Sequence, residues 1–128
     1  MKKTKKSLVI VAHGSRRTES NEEVEIIAKK LSGLVAFGFS DIRYGFLELA
    51  EPSIPDAIIQ SIEAGADTVI ILPYFLSAGR HVTVDIPNEV QKVQDQYPDL
   101  TLIISPYLGS ADGLLEVISK IALSAESG

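Results

Sequence analysis

Four short apolar runs alternate with four amphipathic stretches along this chain, and that alternation limits the fold more than any other feature. Leu8-Val9-Ile10-Val11-Ala12 is rich in β-branched residues and reads as a buried strand. Thr68 to Leu72 and Leu100 to Ile104 read the same way, each stopped by a proline, Pro73 and Pro106. From Ile42 to Leu47, Ile42, Tyr44 and Phe46 alternate with Arg43 and Gly45. This period of two marks a half-exposed strand at a sheet edge.

Between the strands, apolar residues recur at helical spacing. The first helix carries Val24, Ile27, Ala28 and Leu31, and Ser20 followed by Glu23 fits a capping box. The second starts near Ser53, takes Pro55 in its first turn, carries Ile58, Ile59 and Ile62, and stops at Gly65. The third carries Ile86, Val90, Val93 and Tyr97, with Pro87 limiting its regular part. The fourth carries Leu114, Leu115, Ile118, Ile121 and Ala122. The order β-α-β-α-β-α-β-α predicts an α/β fold of three layers. Its four-stranded parallel sheet has right-handed crossovers and helices on both faces. The doubly wound, flavodoxin-like order 2-1-3-4 follows, and it makes the second strand an edge. A length of 128 residues fits one domain, with residues 1–6 as a basic tail and 124–128 as a frayed end.

Composition removes several classes of function. Without cysteine there is no disulfide scaffold, zinc-thiolate site, iron–sulfur cluster or cysteine nucleophile. The net charge of −5 argues against nucleic-acid binding. Lys2, Lys3, Lys5 and Lys6 hold four of the 12 basic residues, which leaves 8 facing 17 acidic ones. No apolar run reaches membrane-spanning length. The stretch after the lysines is too short for an export signal, so a cytoplasmic protein is expected.

In open α/β sheets, ligands bind at the carboxyl ends of the strands, near the switch point. His13 directly follows the first strand, and His81 lies in the loop after the third. The two histidines of the chain thus meet at neighbouring strand ends, ~4.8 Å apart, where two side chains can share one ion. Glu48 follows the second strand on the same rim, with Glu51 three residues on as a solvated loop acid. A carboxylate beside two imidazoles suits a divalent transition metal, or a proton acceptor next to one.

Three of the four arginines flank these histidines: Arg16, Arg17 and Arg80. Guanidinium groups pair well with carboxylate or phosphate, so an anion is expected there; the bland alternative is a surface arginine held by a local acid such as Glu19. Ser15 is no nucleophile of the Gly-x-Ser-x-Gly type, because that motif is absent. Gly14 lets the backbone turn tightly. Tyr74, Phe75 and Leu76 offer a surface for a flat apolar ligand, although Phe75 fits the core better.

Three blocks together carry a resemblance: Leu8-Val-Ile-Val-Ala-His-Gly-Ser-Arg16, Phe46-Leu-Glu-Leu-Ala-Glu-Pro-Ser-Ile54, and Ile71-Leu-Pro-Tyr-Phe-Leu-Ser-Ala-Gly-Arg-His-Val-Thr-Val-Asp-Ile-Pro87. In this order and spacing, the chain from Ser7 to about Ile121 resembles the class II tetrapyrrole chelatases. The likeness is to the short, single-domain sirohydrochlorin cobaltochelatase family. The resemblance implies a chelatase fold, homodimers, and insertion of a divalent metal into sirohydrochlorin. Co²⁺ is the foremost metal, Ni²⁺ and Fe²⁺ are alternatives, and no organic cofactor is implied. His13 and His81 match the histidines that bind metal and assist catalysis, and Glu48 matches the glutamate that completes the site. Arg16, Arg17, Arg80, Ser15 and Tyr74 become the residues expected to meet the substrate. The His-rich insertion of some short archaeal members is absent. Because ligation needs neutral imidazole, activity is expected to fall in acid.

Two other readings compete. A strand-end His-Gly with nearby arginines also fits a histidine phosphoesterase, but such a site wants arginine directly before the histidine, where this chain has Ala12. A metal or tetrapyrrole carrier without turnover needs the same ligands.

Overall fold

Six of the seven residues of the strand Lys6–Ala12 (β1) are buried, which makes it the centre of the molecule. The computed structural model describes residues 4–34 and 38–127. The chain runs on through α1 (Thr18–Leu34), β2 (Asp41–Phe46), α2 (Ile54–Glu63) and β3 (Thr68–Pro73). A π-helical turn (His81–Asp85) leads into α3 (Ile86–Gln96), followed by β4 (Thr101–Ile104), a 3-10 turn (Leu108–Ser110) and α4 (Leu114–Ser127). The sheet is parallel with the order β2-β1-β3-β4, as the alternating pattern predicts. Register is strict: Val9 lies opposite Arg43 on one side and Ile71 on the other.

The period of two along β1 divides the core between the two sheet faces. Val9, Val11, Val69 and Ile71 face Ile54 and Ile58 of α2 and Ile86 and Val93 of α3. Leu8, Ile10 and Ala12 face Val24 and Ala28 of α1, with Phe46 beside them. Each fully buried side chain of this size stabilises by about 1.5–3 kcal/mol relative to exposure. Two buried hydroxyls interrupt the first cluster, and they satisfy each other: Ser7 Oγ donates to Ser61 Oγ at 2.8 Å.

Local signals explain most element ends. The Ser53 hydroxyl accepts the Asp56 N–H at 3.2 Å, so α2 starts where its cap stands, and Gly65 at φ +108° ends it. At Gly45 a Cβ would come within 2.9 Å of the Ala57 Cβ, so glycine lets α2 press directly on the edge strand. No helix among the described residues is long and apolar enough to cross a membrane.

Three expectations are corrected. Ser20 does not cap α1; the helix begins at Thr18, and the Ser20 N–H already bonds the Arg17 carbonyl. The start moves forward because the Asn21 side chain closes the preceding loop. His81 is not in an open loop but opens the π-helical turn. Pro87 accounts for that turn: it has no N–H for the carbonyl four residues back, and its ring crowds that carbonyl. The backbone widens, and the Ile86 N–H bonds the His81 carbonyl, five residues back. At the far end, α4 runs on to Ser127. Finally, the apolar stripe of α4 does not pack on the sheet: Leu115, Ile118 and Ile121 are exposed.

Candidate metal-handling site

The hydrogen-bond ladder of the sheet does not stop at the strand ends. The Leu47 N–H donates to the Ala12 carbonyl at 2.9 Å, and the Glu48 N–H donates to the His13 carbonyl at 3.0 Å. On the other flank, the Tyr74 N–H donates to the Val11 carbonyl at 2.8 Å. Three loops are thereby held by backbone at the carboxyl ends of β2, β1 and β3.

Gly14 makes this closeness feasible. Its φ is +95°, and a Cβ there would lie 1.8 Å from the Glu48 carbonyl oxygen. The next residue is clasped from α1. Asn21 Oδ1 accepts the Ser15 N–H at 3.0 Å, and Asn21 Nδ2 donates to the Ser15 carbonyl at 2.8 Å. The Ser15 hydroxyl accepts the Arg17 N–H at 3.0 Å. Asn21 thus pairs with the backbone as a neighbouring strand would.

On this frame the two imidazole rings stand with centroids 4.6 Å apart and planes tilted by 39°. Each ring has one nitrogen tied to a carboxylate. His13 Nε2 lies 2.8 Å from Glu48 Oε1, and His81 Nδ1 lies 2.8 Å from Asp85 Oδ2. Each keeps its other nitrogen free of those partners. A carboxylate on one imidazole nitrogen fixes the tautomer and raises the basicity of the other, the usual support of a metal-binding histidine. The His13 and His81 side chains are 41% and 46% exposed, so an incoming ligand can reach both. Among the described residues, no three His, Asp or Glu side chains form a closed metal cage. The pair is an open site, suited to holding an ion that must be handed on.

Phe75 packs on the core and sets its ring 6.1 Å from that of His81, as a core residue beside the site. Tyr74 is half-buried against the α1-side cluster. Arg16 and Arg80 are exposed and have no carboxylate partner among the described residues, whereas Arg17 reaches Glu19 at 3.8 Å. Glu51 is exposed. A hollow of about 350 Å³ runs from Glu48 and His81 past Asp85 and Asn88 to Lys92. That is at the low end of ligand-pocket size, so one chain offers an open rim and not an enclosed cleft. A larger hollow of about 470 Å³ lies elsewhere, at the β2 edge beside Glu25 and Tyr44.

Sequence reasoning missed Asp85 and Asn21. Asp85 was within reach, since it stands four residues after His81 in a helical segment. Asn21 carries no such signal, because its partner is backbone.

Residues 7–125 match the sequence profile of the CbiX family. The chain belongs to that family. It is 36% identical over 112 residues to the chloroplastic sirohydrochlorin ferrochelatase of Arabidopsis thaliana, covering 88% of this chain and 49% of that protein. It is 32% identical over 120 residues to the sirohydrochlorin cobaltochelatase of Sulfolobus acidocaldarius, covering 94% and 92%. The chain therefore spans about half of one CbiX relative and nearly all of another. Its fold matches a putative cobalamin biosynthesis CbiX protein from Marinobacter aquaeolei with a TM-score of 0.79 at 23% identity, covering 95% and 98%. It also matches the sirohydrochlorin chelatase SirB of Bacillus subtilis subspecies spizizenii in complex with cobalt. There the TM-score is 0.82 at 23% identity, covering 91% and 49%.

Proposed function

We propose that this chain is a sirohydrochlorin chelatase that inserts a divalent metal, Co²⁺ foremost, into the tetrapyrrole, with Fe²⁺ and Ni²⁺ as alternative metals. The observation that carries the reading is the His13–His81 pair, with rings 4.6 Å apart and a carboxylate on each. Relatives named for Co²⁺ and for Fe²⁺ insertion support the chemistry without choosing the metal. Affinity order does not choose either, because imidazole ligands suit all three ions.

The proposed mechanism assigns different work to the two histidines. Asp85 accepts from His81 Nδ1, which leaves the Nε2 lone pair for the metal. His13 supplies the second nitrogen. As the metal enters, the macrocycle releases two pyrrole protons, and the His13–Glu48 pair accepts them. Arg16 and Arg80, which have no acidic partner among the described residues, meet carboxylates on the substrate; Arg17, Ser15 and Tyr74 stand around the same mouth. The proposed unit is one domain that works as a homodimer in the cytoplasm, with no organic cofactor.

The deciding experiment mixes purified protein with sirohydrochlorin and Co²⁺, Fe²⁺ or Ni²⁺ in parallel and follows the absorbance change of metallation. A rate above the uncatalysed background, lost in a His13→Ala, His81→Ala double variant, is expected. A rate no faster than background sinks the proposal. Metal retention without turnover would instead indicate a carrier.

A further inference from the structure

A tetrapyrrole has a flat, conjugated core as well as its carboxylates, and a protein that holds it needs apolar surface beside the metal ligands. Tyr74 and Phe75 do not supply it freely, because both are half-buried and packed on the two cores. Leu76, the next residue, is 70% exposed. A second leucine, Leu49, is 53% exposed. It directly follows Glu48, whose carboxylate lies 2.8 Å from His13.

Neither leucine is exposed through a loose backbone. Leu49 has φ +66°, in the left-handed region where a Cβ crowds the chain and glycine or asparagine is the ordinary choice. Its loop is closed on both sides: the Glu48 N–H donates to the His13 carbonyl at 3.0 Å, and the Phe46 N–H donates to the Pro52 carbonyl at 2.8 Å. The backbone is thus strained at a residue whose apolar side chain gains little from burial within the chain. Leu76 is pinned from the other flank. The Gly109 N–H donates to the Phe75 carbonyl at 2.9 Å, and a Cβ on Gly109 would lie 1.9 Å from the Leu76 carbonyl oxygen. The 3-10 turn presses on the Leu76 backbone and leaves its side chain exposed.

Topology places the two on opposite flanks of the histidines. In the sheet order β2-β1-β3, the loop of Leu49 leaves β2, His13 follows β1, and the loop of Leu76 leaves β3 and leads to His81. Strands at ~4.8 Å spacing set the two outer loops about 10 Å apart where they begin, a spacing on the scale of a macrocycle.

We propose that Leu49 and Leu76 are substrate-binding residues that support the apolar core of the tetrapyrrole, one on each flank of the His13–His81 pair. This rests on the chelatase reading and assigns the part of the substrate that the arginines do not hold. The strain at Leu49 then has a use: it keeps an apolar side chain beside Glu48, where an unstrained asparagine would offer a polar one.

The test titrates sirohydrochlorin, without metal, into the parent chain and its variants and follows the absorbance of the tetrapyrrole. Leu49→Asn and Leu76→Ser are each expected to raise Kd about tenfold, the loss of part of one leucine's burial. Leu49→Met and Leu76→Met are expected to stay within about twofold of the parent, because methionine keeps the apolar volume. Asparagine accepts the left-handed conformation, so Leu49→Asn is also expected to keep or raise the urea midpoint; lost binding is then not lost folding. The loss is expected to be equal at low and high salt, unlike that of a charged contact. Ile26→Ser, at an apolar residue of α1 that is 46% exposed, is expected to bind as the parent does. Parent-like Kd in Leu49→Asn and Leu76→Ser overturns the proposal. So does an equal loss in Ile26→Ser, or a change in elution volume that accompanies the loss and assigns the leucines to a protein contact. A parent chain that binds no sirohydrochlorin overturns the chelatase reading as well. A parent that binds it regardless of both leucines overturns this inference alone.

Discussion

Asp85 Oδ2 sits 2.8 Å from His81 Nδ1, and the π-helical turn between them makes that contact. With hydrogen bonds reaching five residues back, the residue four positions on lies almost above the first. The turn that Pro87 forces on the chain thus aims a carboxylate at the histidine of the proposed site.

Asp85→Asn is expected to weaken metal use by about 10–100-fold, the usual loss when the carboxylate behind a metal-binding histidine is replaced. The loss falls on the metal concentration needed for half-maximal rate, because the amide still fills the space but supports the imidazole poorly. Initial rates across a Co²⁺ series check this. An unchanged dependence on metal would remove Asp85 from the proposal.

Gly14→Ala is expected to destabilise the protein by at least about 2 kcal/mol, since the new Cβ meets the Glu48 carbonyl and the backbone keeps a positive φ. Relief requires the two loops to separate, so His13 also parts from Glu48. Urea denaturation reads the first effect, and metallation rate reads the second.

Arg16→Ala and Arg80→Ala are each expected to raise KM for the tetrapyrrole and leave kcat nearly unchanged, because the proposed contacts with the substrate's periphery would be equal in ground and transition states. Arg17→Ala is expected to do less, as that guanidinium already has Glu19. Equal effects from all three would argue against specific carboxylate contacts.

Ser7→Ala and Ser61→Ala each strand a buried hydroxyl and are expected to cost about 1–3 kcal/mol. The double variant, with neither hydroxyl left, is expected to cost less than the two singles together. A double-mutant cycle from denaturation midpoints gives the coupling; strict additivity would contradict the bond.

Much of the fold is legible because its causes are local. The β-branched runs, the Ser53 cap with Pro55, and the Gly65 stop all act within a few residues, and the alternation in Ile42, Tyr44 and Phe46 already marks β2 as an edge. Ser20 misled because a cap is chosen by the loop before it. That loop is closed by Asn21 on the Ser15 backbone, a contact with no side-chain pattern to reveal it. The π-helical turn was hidden for a related reason: Pro87 announces a break but not the shape the backbone takes to absorb it.

The sequence by itself determined the order of strands and helices, the strand-end positions of the two histidines and the shortage of other ligands, because hydrophobic period, stop residues and composition are properties of short segments. Only the tertiary structure decided that the His13 and His81 rings stand 4.6 Å apart, each with its own carboxylate. That arrangement depends on ladder bonds continuing past the strand ends and on a glycine thin enough to let two loops meet. The placement of α4 was likewise invisible in its own amphipathic pattern. A stripe says that a helix will be buried, but the geometry of the link before it settles which surface it can reach.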